Sequence, residues 1–271
     1  MFAQLLLWEV MLNMIFSFSS IDIATANETC KFTVKEEDHP EPPPDIFRLY
    51  ALSSCPYCER VLIAMCKKGI EFEVVSAANF QQPPDWFHSN NPEGYVPVLR
   101  HDGKLVNHSR VIIEYLDDAS SANSILPDEP KLRAKRRFDA KRLESVCDAI
   151  RNISFSHTLT GNITRLALEL TKAEEMLQSS FYSGEELGLP DIILYPFIQR
   201  LYMIQQIIDD DFLNGVFGEY FPGLVNWFTR MRTLPEIQLV QETDIEMNDF
   251  MISKGNWNMP VPEVGMSISN L

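Results

Sequence analysis

The sequence predicts an α/β domain followed by an all-helical domain. Three observations carry that division. An apolar run over residues 46–52 leads through Cys55-Pro56-Tyr57-Cys58 into an amphipathic helical stretch. Two further strand-like segments and an Asp-Gly turn follow it. From residue 131 to 247 the apolar spacing is helical almost throughout. The boundaries implied are an N-terminal extension over 1–44, an α/β domain over 45–122, a helical domain over 130–255 and a tail over 256–271.

In the extension, an apolar region over 5–18 is interrupted by Glu9 and Asn13 and ends near Ala24-Thr25-Ala26. A secretory signal needs a basic start, and no Lys or Arg precedes Lys31. The region is also too short and too interrupted to span a bilayer. Met11 and Met14 offer alternative starts. Residues 36–45, rich in Pro and acid, read as a stiff extended leader.

Within the α/β domain, residues 59–68 place Leu62, Met65 and Cys66 on one helical face, and Gly69 stops the helix. Residues 71–76 alternate as a second strand. Pro83-Pro84-Asp85-Trp86-Phe87 reads as a short helix with proline in its first turn. Residues 96–106 read as a hairpin around Asp102-Gly103. Ser109 is expected to cap a helix whose apolar face carries Val111, Ile112, Tyr115 and Leu116. Residues 120–129 are the linker. Five or six helices follow, with breaks expected at Gly161, 184–190, 215–223 and Pro235. Asp191 is expected to stabilise the start of the very apolar helix 192–208, and the basic cluster 131–142 to form a solvated face.

A chain of 271 residues with 45% hydrophobic residues has enough material for two cores. Its net charge of −15 opposes binding to nucleic acid or to an anionic membrane surface. The five cysteines are too scattered for a disulfide framework, so Cys66 and Cys147 read as small buried hydrophobes. No spacing suits a metal beyond the single C-x-x-C. Sequons at Asn27, Asn107, Asn152 and Asn162 would suit a secreted protein, but a cytoplasmic location is the main expectation.

Cys55 is the leading catalytic candidate. A cysteine at a strand-to-helix turn meets unpaired backbone N–H groups and the positive end of the helix dipole, which favour thiolate over thiol. Cys58, three residues on, is either a second working thiol or a small buried residue.

Cys-Pro-Tyr-x-Glu-Arg, Asp-Trp-Phe, Asn-Pro-x-Gly-x-Val-Pro-Val-Leu, Ser-x-x-Ile-x-Glu-Tyr-Leu and the late helix around Asp191 together resemble an omega-class glutathione transferase over residues 45–250. The resemblance implies a thioredoxin-like N-terminal domain, a helical-bundle C-terminal domain and glutathione as co-substrate. It also implies Cys55 as nucleophile, thiol transfer to disulfides and small electrophiles, reduction of dehydroascorbate, methylarsonate reduction and a homodimer. By the family's pattern Val96-Pro97 would be a cis-proline turn whose exposed edge pairs with the cysteinyl part of glutathione. Ser109 would hold the γ-glutamyl carboxylate, and Tyr57 would line the ligand groove. Two positions depart from the pattern: His108 stands where the family has Glu, and Pro83 where it has a basic residue. Each lost charge-assisted bond costs about 1.5–3 kcal/mol, so weak glutathione binding is expected. Aromatics around Tyr202, Phe221, Trp227 and Phe228 would supply a co-substrate wall or core. The alternatives are a non-catalytic relative resembling the intracellular chloride-channel proteins, and a degenerate paralogue with weak glutathione affinity.

Overall fold

A computed structural model describes residues 30–35, 42–43, 45–52, 55–77, 85–154, 159–207, 219–240 and 266–267. The apolar N-terminal region and most of the leader lie outside them. The α/β domain runs β1 (Lys31–Lys35), β2 (Phe47–Ala51), α1 (Pro56–Lys68), β3 (Glu71–Ser76), α2 (Asp85–Asn90), β4 (Tyr95–Val96), β5 (Val98–His101), β6 (Lys104–Asn107) and α3 (Ser109–Ala119). The main sheet has the order β1-β3-β2-β5-β6. Its β1-β3-β2 portion is parallel, and β5 and β6 are antiparallel. Every residue of β2 is buried, as expected of a central strand covered on both faces.

Strand β1 corrects the expected boundary, because it lies in the segment read as an extension and yet completes the sheet. Its register runs from Lys31 opposite Glu71 to Lys35 opposite Val75. Phe32 stacks on Phe72 at 5.3 Å. Cys30, the residue before β1, is disulfide-bonded to Cys66 on α1 with Cα atoms 4.4 Å apart. Cys66 is therefore half of a crosslink rather than only a small apolar residue. Scattered cysteines gave no sign of this pairing, which exists because sheet and helix converge at that edge.

Local chemistry explains where α1 starts and stops. Pro56 occupies its first turn, where a missing N–H costs nothing. Gly69 closes it in the left-handed conformation, φ 66°, and its N–H reaches the Cys66 carbonyl at 3.0 Å. Buried Lys68 meets Asp117 Oδ1 at 3.0 Å and the Ser120 carbonyl at 2.6 Å, pinning α1 to the end of α3.

Helix α3 differs from expectation in two respects. Its N-cap residue is His108, at φ 68° and without a side-chain cap bond, so Ser109 is the first helical residue and not the cap. Ile112, Ile113 and Leu116 are fully buried, whereas Val111 is 55% exposed. Shifting the apolar face by one position still satisfies helical periodicity, and packing against α1 selects the true face.

The helical domain contains α4 (Pro130–Ser154), α5 (Leu159–Met176), α6 (Leu189–Ile207), α7 (Pro222–Arg232) and α8 (Pro235–Gln238). Gly161, expected as a break, lies inside α5, since one glycine costs only about 1 kcal/mol in a helix that packing holds. Asp191 organises this domain. Its carboxylate accepts from the N–H groups of Tyr182 (2.8 Å), Ser183 (3.1 Å) and Gly188 (3.2 Å) and from Trp227 Nε1 (2.9 Å). The basic face of α4 is less solvated than expected. Arg137 reaches Glu114 on α3 and Arg136 reaches the Tyr182 carbonyl at 3.0 Å.

The two domains meet along α1 and α6. Arg60 on α1 lies between the rings of Tyr57 (5.0 Å) and Phe197 (4.8 Å), and its Nε donates to the Ile193 carbonyl at 2.9 Å. One residue earlier, Glu59 pairs with Arg200 of α6 in a buried ion pair. Adjacent acid and base on α1 thus fix the second domain against the turn that carries Cys55.

Candidate active site

Cys55 is the N-cap residue of α1, with extended backbone (φ −77°, ψ 116°), immediately after the buried central strand. This conformation leaves the first helical N–H groups without intrahelical partners. Those of Tyr57 and Cys58 point at its sulfur, and the Cys58 side chain bonds to it as well. Cys55 and Cys58 are each only 1% exposed. Burial pushes the Cys55 thiol up, but the Cys58 side chain, the two N–H groups and the charge of Arg200 outweigh that, bringing it down to about 7. Cys58 goes the other way. Burial raises it, and the hydrogen bond and negative charge of Cys55 raise it further, so it stays a protonated thiol. The pair therefore holds one thiolate and one thiol near neutrality.

A cleft of about 180 Å³ in the same domain is lined by Val96, Pro97 and His108, together with Asn91, Glu93, Tyr95 and Asn107, and the cysteine turn is not part of that lining. The Val96–Pro97 bond is cis, as the sequence pattern implied. Asn91 is held in place by its Nδ2 bond to the Tyr95 carbonyl at 2.8 Å. Ser109 is 5% exposed at the start of α3, next to His108. The edge of β4 pairs with a short strand β7 (Met266–Ser267), Val96 lying opposite Met266. That edge is the one expected to receive the cysteinyl backbone of glutathione.

The remaining candidates fall differently. Pro83 lies outside the described residues. Tyr57 was expected to line the groove, but its ring faces the helical domain. It packs edge-on against Phe197 at 5.3 Å, and its hydroxyl accepts from Arg151 Nη1 at 3.2 Å. Its contribution to the site is its backbone N–H. Phe221, Trp227 and Phe228 are buried in the helical core, and Tyr202 is half-buried against Phe228 at 5.4 Å. Among the described residues no cluster of His, Cys, Asp or Glu could hold a metal, and no helix is long and apolar enough to cross a membrane. Arg200 was missed by the sequence reading. The available signal was that it is the one charged residue in the apolar run 192–208.

Comparison with known proteins agrees with this geometry. Residues 49–124 match the glutathione S-transferase N-terminal domain family, and residues 162–235 match the glutathione S-transferase C-terminal domain family. Glutathione transferase omega-1 of Caenorhabditis elegans is 31% identical over 204 residues, covering 73% of this chain and 81% of that protein. Glutathione S-transferase omega-1 of Sus scrofa is 30% identical, covering 73% of this chain and 82% of that one. A rice glutathione transferase solved in complex with glutathione superposes with a TM-score of 0.69 at 25% identity, over 80% of this chain and all of the other. Omega 3C from Trametes versicolor, at 19% identity, shares the fold with a TM-score of 0.66, over 86% of this chain and 97% of that one. The chain belongs to the glutathione transferase family, in its omega class.

Proposed function

We propose that the chain is a glutathione-dependent thiol transferase in which Cys55 is the nucleophile. The observation that carries this reading is the ring of donors around its sulfur, which keeps it substantially ionised at neutral pH. The thiolate attacks one sulfur of a glutathionylated substrate, the S–S bond breaks, and the substrate leaves as its thiol once protonated. Cys55 is left as a mixed disulfide with glutathione. A second glutathione thiolate attacks the glutathionyl sulfur, releasing Cys55 and forming oxidised glutathione. In dehydroascorbate reduction the same thiol and one glutathione supply the two electrons, ending at the same mixed disulfide. Methylarsonate reduction is a further candidate of the same type.

Glutathione would lie with its cysteinyl backbone on the Val96 edge and its γ-glutamyl carboxylate at the start of α3, where Ser109 and the first N–H groups favour an anion. His108 can accept one hydrogen bond but offers no carboxylate to the ammonium group, and Pro83 offers no charge. Weak binding follows, to be measured by calorimetry; a low-micromolar dissociation constant would contradict it.

Other features bear on the setting. Val111, 55% exposed on α3, and Phe138, 63% exposed on α4, support pairing of two copies, which light scattering would detect. For location, the cytoplasmic expectation competes with the Cys30–Cys66 crosslink. This disulfide supports the secreted alternative, because cytosolic thiols are kept reduced.

The test of the main reading is glutathione-dependent reduction of hydroxyethyl disulfide, wild type beside Cys55→Ala. Activity should vanish in the variant. Retained activity would overturn the assignment, and an inactive wild type would favour the non-catalytic relative.

A further inference from the structure

Cys58 contributes a second thiol that the transfer cycle above does not consume. It lies three residues after Cys55 in the first turn of α1, buried to the same degree, with its side chain hydrogen-bonded to the Cys55 sulfur. A pair with this spacing at a helix start is within reach of disulfide closure. We propose that Cys58 is the resolving thiol of this site, closing an internal disulfide on Cys55 and so admitting substrate disulfides that carry no glutathionyl group. The inference rests on Cys55 being the nucleophile.

The chemistry balances without an outside reagent other than glutathione. The Cys55 thiolate attacks a disulfide R–S–S–R′, the R′ thiolate leaves and takes a proton, and Cys55 is bonded to R. The Cys58 sulfur then attacks the Cys55 sulfur as its own proton passes to the departing R thiolate. The products are two thiols and a Cys55–Cys58 disulfide, so the substrate has gained two electrons and the protein has lost two. Two glutathione molecules return the pair to its dithiol form and leave as oxidised glutathione.

Two physical arguments favour this route over direct release by an incoming thiol. The first is timing. Apart from burial, what holds Cys58 protonated is the hydrogen bond and charge of the Cys55 thiolate. Forming the mixed disulfide removes that charge, so Cys58 becomes the stronger nucleophile at the step that needs it. The second is access. With both cysteines 1% exposed, an external thiol must enter a covered site that the first substrate fragment already occupies. An internal thiol needs no path and acts at a high effective concentration.

The experiment uses the full chain, reduced at the active pair and exposed to hydroxyethyl disulfide without glutathione. It is quenched in acid, weighed intact and then mapped by peptides. The expected result for wild type is loss of two hydrogens, assigned by mapping to Cys55–Cys58, with two equivalents of mercaptoethanol released. Cys58→Ser retains a donor to the Cys55 thiolate but cannot bridge, and should hold one mercaptoethanol adduct on Cys55. In turnover with glutathione, Cys58→Ser should lose roughly tenfold on hydroxyethyl disulfide and several-fold less than that on a glutathionylated peptide, where only the weaker donor to Cys55 is felt. A wild type that keeps the adduct and forms no internal disulfide overturns the inference and leaves the nucleophile standing; this readout needs no variant to fold. Equal loss on both substrates also overturns it, since a hydrogen-bonding role alone would slow both alike. Absence of both the internal disulfide in wild type and the Cys55 adduct in Cys58→Ser would overturn the nucleophile itself.

Discussion

Cys55 and Cys147 are two buried thiols, each facing an arginine, that end in opposite chemical states. Cys147, inside α4, accepts from Arg60 Nη2 at 3.3 Å, yet burial pushes its thiol up to about 11. Cys55, more fully covered and influenced by Arg200, comes down to about 7. A cation close by is therefore not what decides the matter. Cys147 sits in the middle of a helix, where the backbone N–H groups are already bonded to carbonyls, and its own S–H lies 3.6 Å from the Ile193 carbonyl. Asp148 and Glu144 raise it further. Cys55 sits where two N–H groups are free and a second thiol donates. Oriented donors at a helix start overcome burial; a charge paired with aromatic rings and a carbonyl does not.

The largest effect that would break this comparison is on turnover. Cys147→Ala should leave hydroxyethyl disulfide reduction within about twofold of wild type, since its bonds to Arg60 and the Ile193 carbonyl serve the domain seam and not the reacting sulfur, whereas Cys55→Ala abolishes it. Comparable losses in the two variants would show that the sulfurs are not differentiated.

Stability comes next. Arg200→Met leaves Glu59 buried without its cation and should cost about 3–5 kcal/mol in chemical denaturation. Glu59→Gln combined with Arg200→Met should recover a large part of that loss. A free-energy change near zero for the single variant would mean that the pair does not hold the domain seam.

A third test sharpens the electrostatic claim. Alkylation of Cys55 by iodoacetamide should show a midpoint near pH 7, because its reactive form is the thiolate, and below that the rate should fall about tenfold per pH unit. Cys147 should stay unreactive until far higher pH. Cys58→Ala should move the Cys55 midpoint upward, as a donor is lost, and Cys58→Ser should move it less. A midpoint that ignores Cys58 would remove the side-chain donor from the account.

The smallest expected effect concerns the cleft. Met266–Ser267 pairs with the edge of β4 that glutathione is proposed to use. Deleting residues 256–271 should strengthen glutathione binding severalfold by calorimetry, and unchanged affinity would mean that the tail does not compete.

Much of this contrast was legible in the sequence. Cys55 at a strand-to-helix turn, the hairpin around Asp102-Gly103 and the apolar helix opening at Asp191 all follow from local rules: period, turn chemistry and end effects. Those rules fail where two faces are nearly equivalent. Val111 and Ile113 are interchangeable by period, and only the packing of α3 on α1 separates them. Tyr57 could turn to the groove or to the helical domain until Phe197 and Arg151 fixed its ring.

The chain alone determined the order of elements, the position of the reactive turn and the family likeness, because each depends on residues adjacent along the backbone. Tertiary structure decided that residues 31–35 complete the sheet, that Cys30 meets Cys66, and that Arg200 reaches Glu59 across 141 positions. These contacts form between segments distant in sequence, so no local period or spacing announces them until the fold has paid the entropy of bringing the segments together.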